Sequence, residues 1–102
     1  MIHVVAVITA KPGMRETILQ AFRANAPAVR VEQGCIEYQA VVDADNALPS
    51  QSKIGPETFM VIEKWATMDA LKTHAAAPHM AAYAAKTREH VAVRAVHIMT
   101  GA

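Results

Sequence analysis

The chain has 102 residues, of which 53% are apolar, and ten Lys and Arg stand against nine Asp and Glu for a net charge of +1. That length fits a single domain, 1–102, and a chain so short buries only a modest core of its own, so the apolar surplus points to a second copy covering part of the surface. The balanced charge, with no basic stripe set among aromatics, excludes a nucleic-acid binder, and no apolar run approaches the ~20 residues of a membrane span.

Ile2–Ala10 (IHVVAVITA) is rich in β-branched residues and reads as a strand with two mostly apolar faces, which both need cover. Lys11-Pro12-Gly13 ends it. From Met14 the period changes, with Met14, Ile18, Phe22 and Val29 at helical spacing and Ala21 and Ala26 on the same side. This is an amphipathic helix, which Pro27 is expected to end or kink. Gly34 turns the chain into a second strand, Cys35–Asp43, where Ile36, Tyr38, Ala40 and Val42 alternate with Glu37, Gln39 and Val41.

Ala44–Glu57 carries two Pro, two Ser, Asp, Asn and Gly and reads as a loop long enough to serve as a lid. Thr58–Ala66 is the third strand, with Phe59, Val61, Glu63 and Trp65 on one face and Met60, Ile62 and Lys64 on the other. Thr67 caps a helix over Met68–Ala76, which Pro78 interrupts. A second helix follows with Met80, Tyr83, Ala84 and Thr87 inward, and Val91–Thr100 closes the chain as a fourth strand.

The order β-α-β-β-α-β predicts an α+β, ferredoxin-like antiparallel sheet with helices on one face. The opposite face is then expected to pack on its twin in a homodimer. No Gly-rich phosphate loop and no Cys-x-x-Cys pair is present, which argues against a nucleotide cofactor. The N-terminus lacks the basic leader of a signal peptide, and the single Cys35 fits a reducing cytoplasm.

The unusual side chains gather between Glu63 and Met80. Trp65, the only tryptophan, is either a core residue sealing sheet to helices or the wall of a pocket for a flat aromatic. Glu63 shares its face and is either paired with a cation or tuned for acid-base work. His74 and His79 flank a helix break, a spacing that is not the i, i+4 of a helical metal pair, so a metal site is not expected. Each is a capping histidine or a proton carrier at a pocket mouth. Tyr38, Tyr83 and Phe59 complete the aromatic candidates, while His3 and His97 fall on strands that pair. Taken alone, these residues leave the chemistry open.

The frame GCIEYQ followed by FMVIEKWATMDALKTHAAAPHM resembles the antibiotic-biosynthesis monooxygenase family, over almost the whole chain. The resemblance implies a dimeric α+β barrel and cofactor-independent oxidation of a quinol or polyphenolic aromatic by O2. It matches Trp65 to the family's pocket tryptophan and His74 to its helix histidine, which makes these the catalytic candidates, and it places Glu63 and His79 at further motif positions. Together with the residues read above, Trp65, Glu63, Tyr38, His79, Phe59 and Tyr83 are the candidate substrate contacts. Two departures narrow it: Val61 stands four residues before the Trp, where polyketide-modifying members place Asn, and the first strand lacks the Asn of haem-degrading members. The remaining branch is the quinol-oxidase-like one. Within the same fold, an isomerase or proton-transfer enzyme acting on a small oxygenated metabolite, or a non-catalytic ligand-binding dimer, are the alternatives.

Overall fold

A computed structural model describes residues 1–102. The elements are β1 (Ile2–Ala10), α1 (Arg15–Arg30), β2 (Cys35–Val41), β3 (Thr58–Trp65), α2 (Met68–Ala75), α3 (Pro78–Thr87) and β4 (Val91–Thr100), with a 3-10 turn, Arg88–His90, leading into β4. All strands join one antiparallel sheet in the order β2-β3-β1-β4, the ferredoxin-like arrangement. No helix is long and apolar enough to cross a membrane.

Burial alternates along the central strands as the period-two side-chain rule requires. Ile2, Val4, Ala6 and Ile8 of β1 are buried under the helices, and so are Phe59, Val61, Glu63 and Trp65 of β3, while Val5, Val7, Met60 and Ile62 on the reverse face are half-buried. The register fixes the layout of the helix-facing floor. One rung runs Tyr38, Glu63, Val4, Ile98 across the four strands; the next runs Ala40, Val61, Ala6, Val96; Phe59, Ile8 and Arg94 make a third. The small Ala6 and Ala40 keep the middle rung low.

Two local expectations need correction, and the exposure of the last strand adds a third finding. The first helix runs unbroken through Pro27 to Arg30. Pro27 is exposed, so its missing hydrogen bond falls on the solvent side, while its neighbours Ala26 and Val29 are sealed against the core. Burial of a valine contributes roughly 1.5–3 kcal/mol, enough to hold the last turn in place. The buried stripe also includes Leu19. β2 ends at Val41 rather than Asp43, because the Asp43 carboxylate leaves the ladder to accept the N–H groups of Ile54 and Gly55, each at 2.9 Å. Finally, β4 is exposed along nearly its whole length, including Val96 and Ile98 on the helix side. α3 packs on α1 and leaves this edge strand uncovered, which opens the space described below.

The joint between α2 and α3 follows from Pro78. Ala77, as the residue before proline, is held extended at φ −66° and ψ 140°, and Pro78 then opens α3 at a position where no N–H is needed. Thr67 caps α2 by accepting from the Ala70 N–H at 3.1 Å. At this same C-terminal end of β3, Gly34 takes φ +84°, and its carbonyl accepts from the Ala66 N–H at 2.8 Å. A Cβ on Gly34 would lie 2.6 Å from the Ala70 Cβ, so only glycine allows α2 to sit this close to the turn.

Candidate active site

Between the sheet floor and α2/α3 lies a cavity of about 480 Å³, open along the uncovered β4 edge. Fifteen of its nineteen lining residues are apolar or aromatic; the polar ones are Glu63, Lys72, His74 and Arg94. Small-molecule sites have this character, with few polar groups fixing orientation in an apolar enclosure.

At the inner end, β3 and α2 bring Glu63 and His74 together. The Trp65 indole N–H donates to Glu63 Oε1 at 2.9 Å, and His74 Nε2 stands 4.0 Å from the same oxygen. That separation is too long for a hydrogen bond, so both atoms remain available to a group entering from the cavity. Burial pushes the Glu63 carboxyl above its ordinary range, opposed chiefly by the Trp65 N–H and the neighbouring His74.

The other nitrogen of His74 is committed. Nδ1 lies 3.0 Å from Glu32 Oε2, and His79 Nε2 approaches that same oxygen at 3.0 Å. A carboxylate only accepts, so His74 carries its proton on Nδ1 and, when neutral, presents Nε2 as the acceptor toward Glu63. The ring is held from two sides: it lies tilted on Trp65 with centroids 4.6 Å apart, and Tyr38 meets it edge-on at 5.5 Å. Phe22 stacks on Tyr38 at 5.0 Å and takes the edge of Tyr83 at 6.4 Å. Burial, reinforced by the charge on Glu63, drives the Tyr38 hydroxyl far above its usual range, and burial pushes Tyr83 up to about 12. Both stay neutral phenols at physiological pH.

The sequence candidates divide accordingly. Tyr38, Glu63, His74 and Tyr83 line the cavity. Trp65 and Phe59, expected against substrate, do not: both are fully buried, Trp65 behind Glu63 and His74, Phe59 beneath the core. Trp65 therefore acts on the cavity through the carboxylate it donates to and the imidazole it supports. His79 also stands outside, on the far side of Glu32, where the Pro78 break places it in the first turn of α3. His3 and His97 are diagonal neighbours on the sheet face remote from the helices. Cys35 has its thiol pushed up by burial and by Glu32 and Glu63, which makes it a poor nucleophile. No residue of Ala44–Glu57 lines the cavity, which removes the loop from that wall. No group of three or more His, Cys, Asp or Glu side chains is arranged to hold a metal ion.

Glu32 and Arg94 were not singled out from the sequence. Glu32 had a signal: an acidic residue just past the C-terminus of α1 opposes the helix dipole, so some other partner must hold it there.

The profile of the family described as "Antibiotic biosynthesis monooxygenase" matches residues 1–86. The chain belongs to this family. It is 32% identical over 101 residues to "Probable quinol monooxygenase YgiN" of Escherichia coli K12, spanning 97% of this chain and 96% of that protein. A solved structure described as "Putative antibiotic biosynthesis monooxygenase from Nitrosomonas europaea" superposes with a TM-score of 0.84 at 20% identity, covering 99% of this chain and 98% of the other. Another, from Caulobacter crescentus, gives 0.82 at 25% identity over 99% of this chain and 89% of its own. These superpositions agree with the ferredoxin-like fold of this family member.

Proposed function

We propose that the chain is a monooxygenase that oxidises a quinol or related polyphenol with O2, the substrate itself supplying the electrons. Membership of the family and the likeness to a protein named as a quinol monooxygenase support the class. The observation that carries the reading is His74: its Nδ1 is engaged by Glu32, and its Nε2 faces Glu63 at the closed end of an apolar cavity.

A quinol hydroxyl reaching that end donates its proton to His74 Nε2, and the imidazolium formed is stabilised by the Glu32 carboxylate already on Nδ1. The neutral Tyr38 and the Glu63 carboxyl flank the oxygen. The phenolate passes one electron to O2, and the radical and superoxide combine into a ring carbon–oxygen bond, giving a peroxide. Loss of the proton on that carbon and heterolysis of the O–O bond release one oxygen as water and leave the other on the ring. Quinol plus O2 thus gives hydroxyquinone plus water. The apolar walls keep water from the peroxide stage.

Two further parts belong to this reading. The half-buried apolar face formed by Val5, Val7, Met60 and Ile62 is covered by a second copy, and the lone Cys35 suits a cytoplasmic setting. Sedimentation tests the first.

The test of function is oxygen uptake by the purified protein, stripped of metal, with a panel of reduced benzo- and naphthoquinols, corrected for autoxidation. His74→Ala lowers the enzymatic rate roughly 10²–10⁴-fold, the range of a general base. Trp65→Phe keeps the packing and loses the donor to Glu63, giving a smaller drop. Uptake equal to the buffer blank with every quinol rejects the oxygenase reading and favours an isomerase or a binding protein.

A further inference from the structure

A second cavity, about 510 Å³, adjoins the first under α3. The two share Ile8, Met80, Tyr83, Ala84 and Arg94, so they form one trough whose inner end is the His74 corner and whose outer end is closed by the 3-10 turn and the start of β4. The second part is otherwise apolar except for Thr87, Arg88 and Arg94, and the Thr87 hydroxyl is already spent on the Tyr83 carbonyl at 2.9 Å.

The charges of this trough do not balance. Its cations are Lys72, Arg88 and Arg94, and its only acid is Glu63, which stands two rungs from Arg94, feels that charge, and already accepts from the Trp65 indole N–H. None of the three cations makes an ion pair within the chain, although Arg23 and Lys64 elsewhere on the surface do. Arg94 is placed by register, opposite Ile8 on the helix-facing side of β4, so its stem lies along the trough floor. A guanidinium presents paired N–H donors matched to the edge of a carboxylate, and both arginines are exposed and so open to an entering anion.

We propose that the outer cavity is a carboxylate subsite, in which Arg94 and Arg88 bind an anionic substituent of the aromatic substrate while its hydroxyl end reaches His74. The substrate class narrows to a quinol or polyphenol that carries a carboxylate remote from the reacting hydroxyl. Arg94 then orients the ring along the trough and selects for charge at a distance from the reacting carbon. The inference rests on the aromatic-substrate reading above, and its test uses no oxygen, so the two fail separately.

The test is equilibrium binding by calorimetry of 6-hydroxy-2-naphthoate and its methyl ester, which share a ring system with the hydroxyl at the end remote from the carboxyl and differ in charge. The acid binds the wild-type protein at least fivefold more tightly than the ester at low salt, and raising the salt weakens only the acid. Arg94→Gln removes that preference, Arg88→Gln reduces it by at least twofold, and Arg94→Lys, which keeps the charge without the fork, falls between. The ester binds all four proteins alike, which also shows that the variants fold. A preference below fivefold in the wild type, a preference that survives Arg94→Gln, or no binding of either compound overturns the assignment. Oxygen uptake with neutral quinols is unaffected by any of these results.

Discussion

Glu32 joins two histidines from two helices, and removing it tests how far the site depends on that joint. In Glu32→Ala the Nδ1–H of His74 loses an acceptor 3.0 Å away in a place where the imidazole side chain is only 6% exposed, and His79 Nε2 loses the same partner at 31% exposure. A hydrogen bond to a charged group contributes about 1.5–3 kcal/mol, with the lower end suited to the more exposed partner. The loss should total about 3 kcal/mol or a little more, at least half of it from His74. At roughly 4–8 °C per kcal/mol for a domain this size, Tm falls by roughly 12–24 °C at fixed protein concentration. Glu32→Gln keeps one acceptor oxygen and loses about half as much. Thermal unfolding followed by circular dichroism measures both. A double-mutant cycle with His74→Ala separates the pair from general disruption, and its coupling should exceed that with His79→Ala. Quinol-dependent oxygen uptake, read well below the variant's Tm, drops at least tenfold because His74 no longer has one tautomer imposed on it. Coupling within about 0.5 kcal/mol of zero to both histidines refutes the reasoning, since a carboxylate that matters to neither cannot be orienting either.

Further outcomes follow from particular contacts. Gly34→Ala combines a left-handed φ with a 2.6 Å approach to the Ala70 Cβ and destabilises by about 2–4 kcal/mol, whereas Gly13→Ala, left-handed but facing open space, costs about 1 kcal/mol; paired denaturant titrations check the contrast. Glu63→Gln keeps an acceptor for the Trp65 N–H and removes a buried charge. Because the native Glu63 carboxyl is held above its ordinary range, the folded state binds that proton more tightly, and the wild-type stability it confers fades as pH rises from the ordinary carboxyl range through the native value. The Gln variant therefore gains stability on the wild type as pH rises above the ordinary carboxyl range, and parallel pH slopes for the two proteins would contradict the burial argument. Asp43 is the opposite case: the N–H groups of Ile54 and Gly55 hold its carboxyl below the usual range, so its contribution is present at neutral pH and is lost as pH falls from about 4 through the depressed native value. Asp43→Asn speeds amide exchange at Ile54 and Gly55 at pH 7, and the difference from wild type closes under acid.

The fold was legible because its signals are local and mutually consistent. Two-sided apolar runs, the Gly34 turn, the Thr67 cap and the Pro78 break each say where an element begins or ends, and the β-α-β-β-α-β order leaves few ways to pair the strands. Pro27 misled because a helix tolerates proline where the lost bond faces solvent and the neighbouring residues are well packed. The site was legible only in part. Glu63, Trp65 and His74 fall close together in sequence and announce themselves. Glu32 and Arg94 reach the same neighbourhood from 42 residues before His74 and from the far edge strand, through contacts that no period reveals. Side-chain type does not reveal depth either: Trp65 suited both a core position and a pocket wall, and the β3 register sets it one rung behind, opposite Ile2 and away from the cavity.

The most direct test of the central claim is the fate of the oxygen atoms. The purified protein is given a reduced quinol under ¹⁸O2 and quenched within seconds, and the product is analysed by mass spectrometry beside a peroxide assay. A monooxygenase places one labelled atom in the hydroxyquinone, sends the other to water and releases no stoichiometric peroxide, and His74→Ala abolishes the labelled product. An unlabelled quinone formed with one equivalent of hydrogen peroxide contradicts the account, because the cavity would then remove electrons from the quinol without inserting oxygen into it.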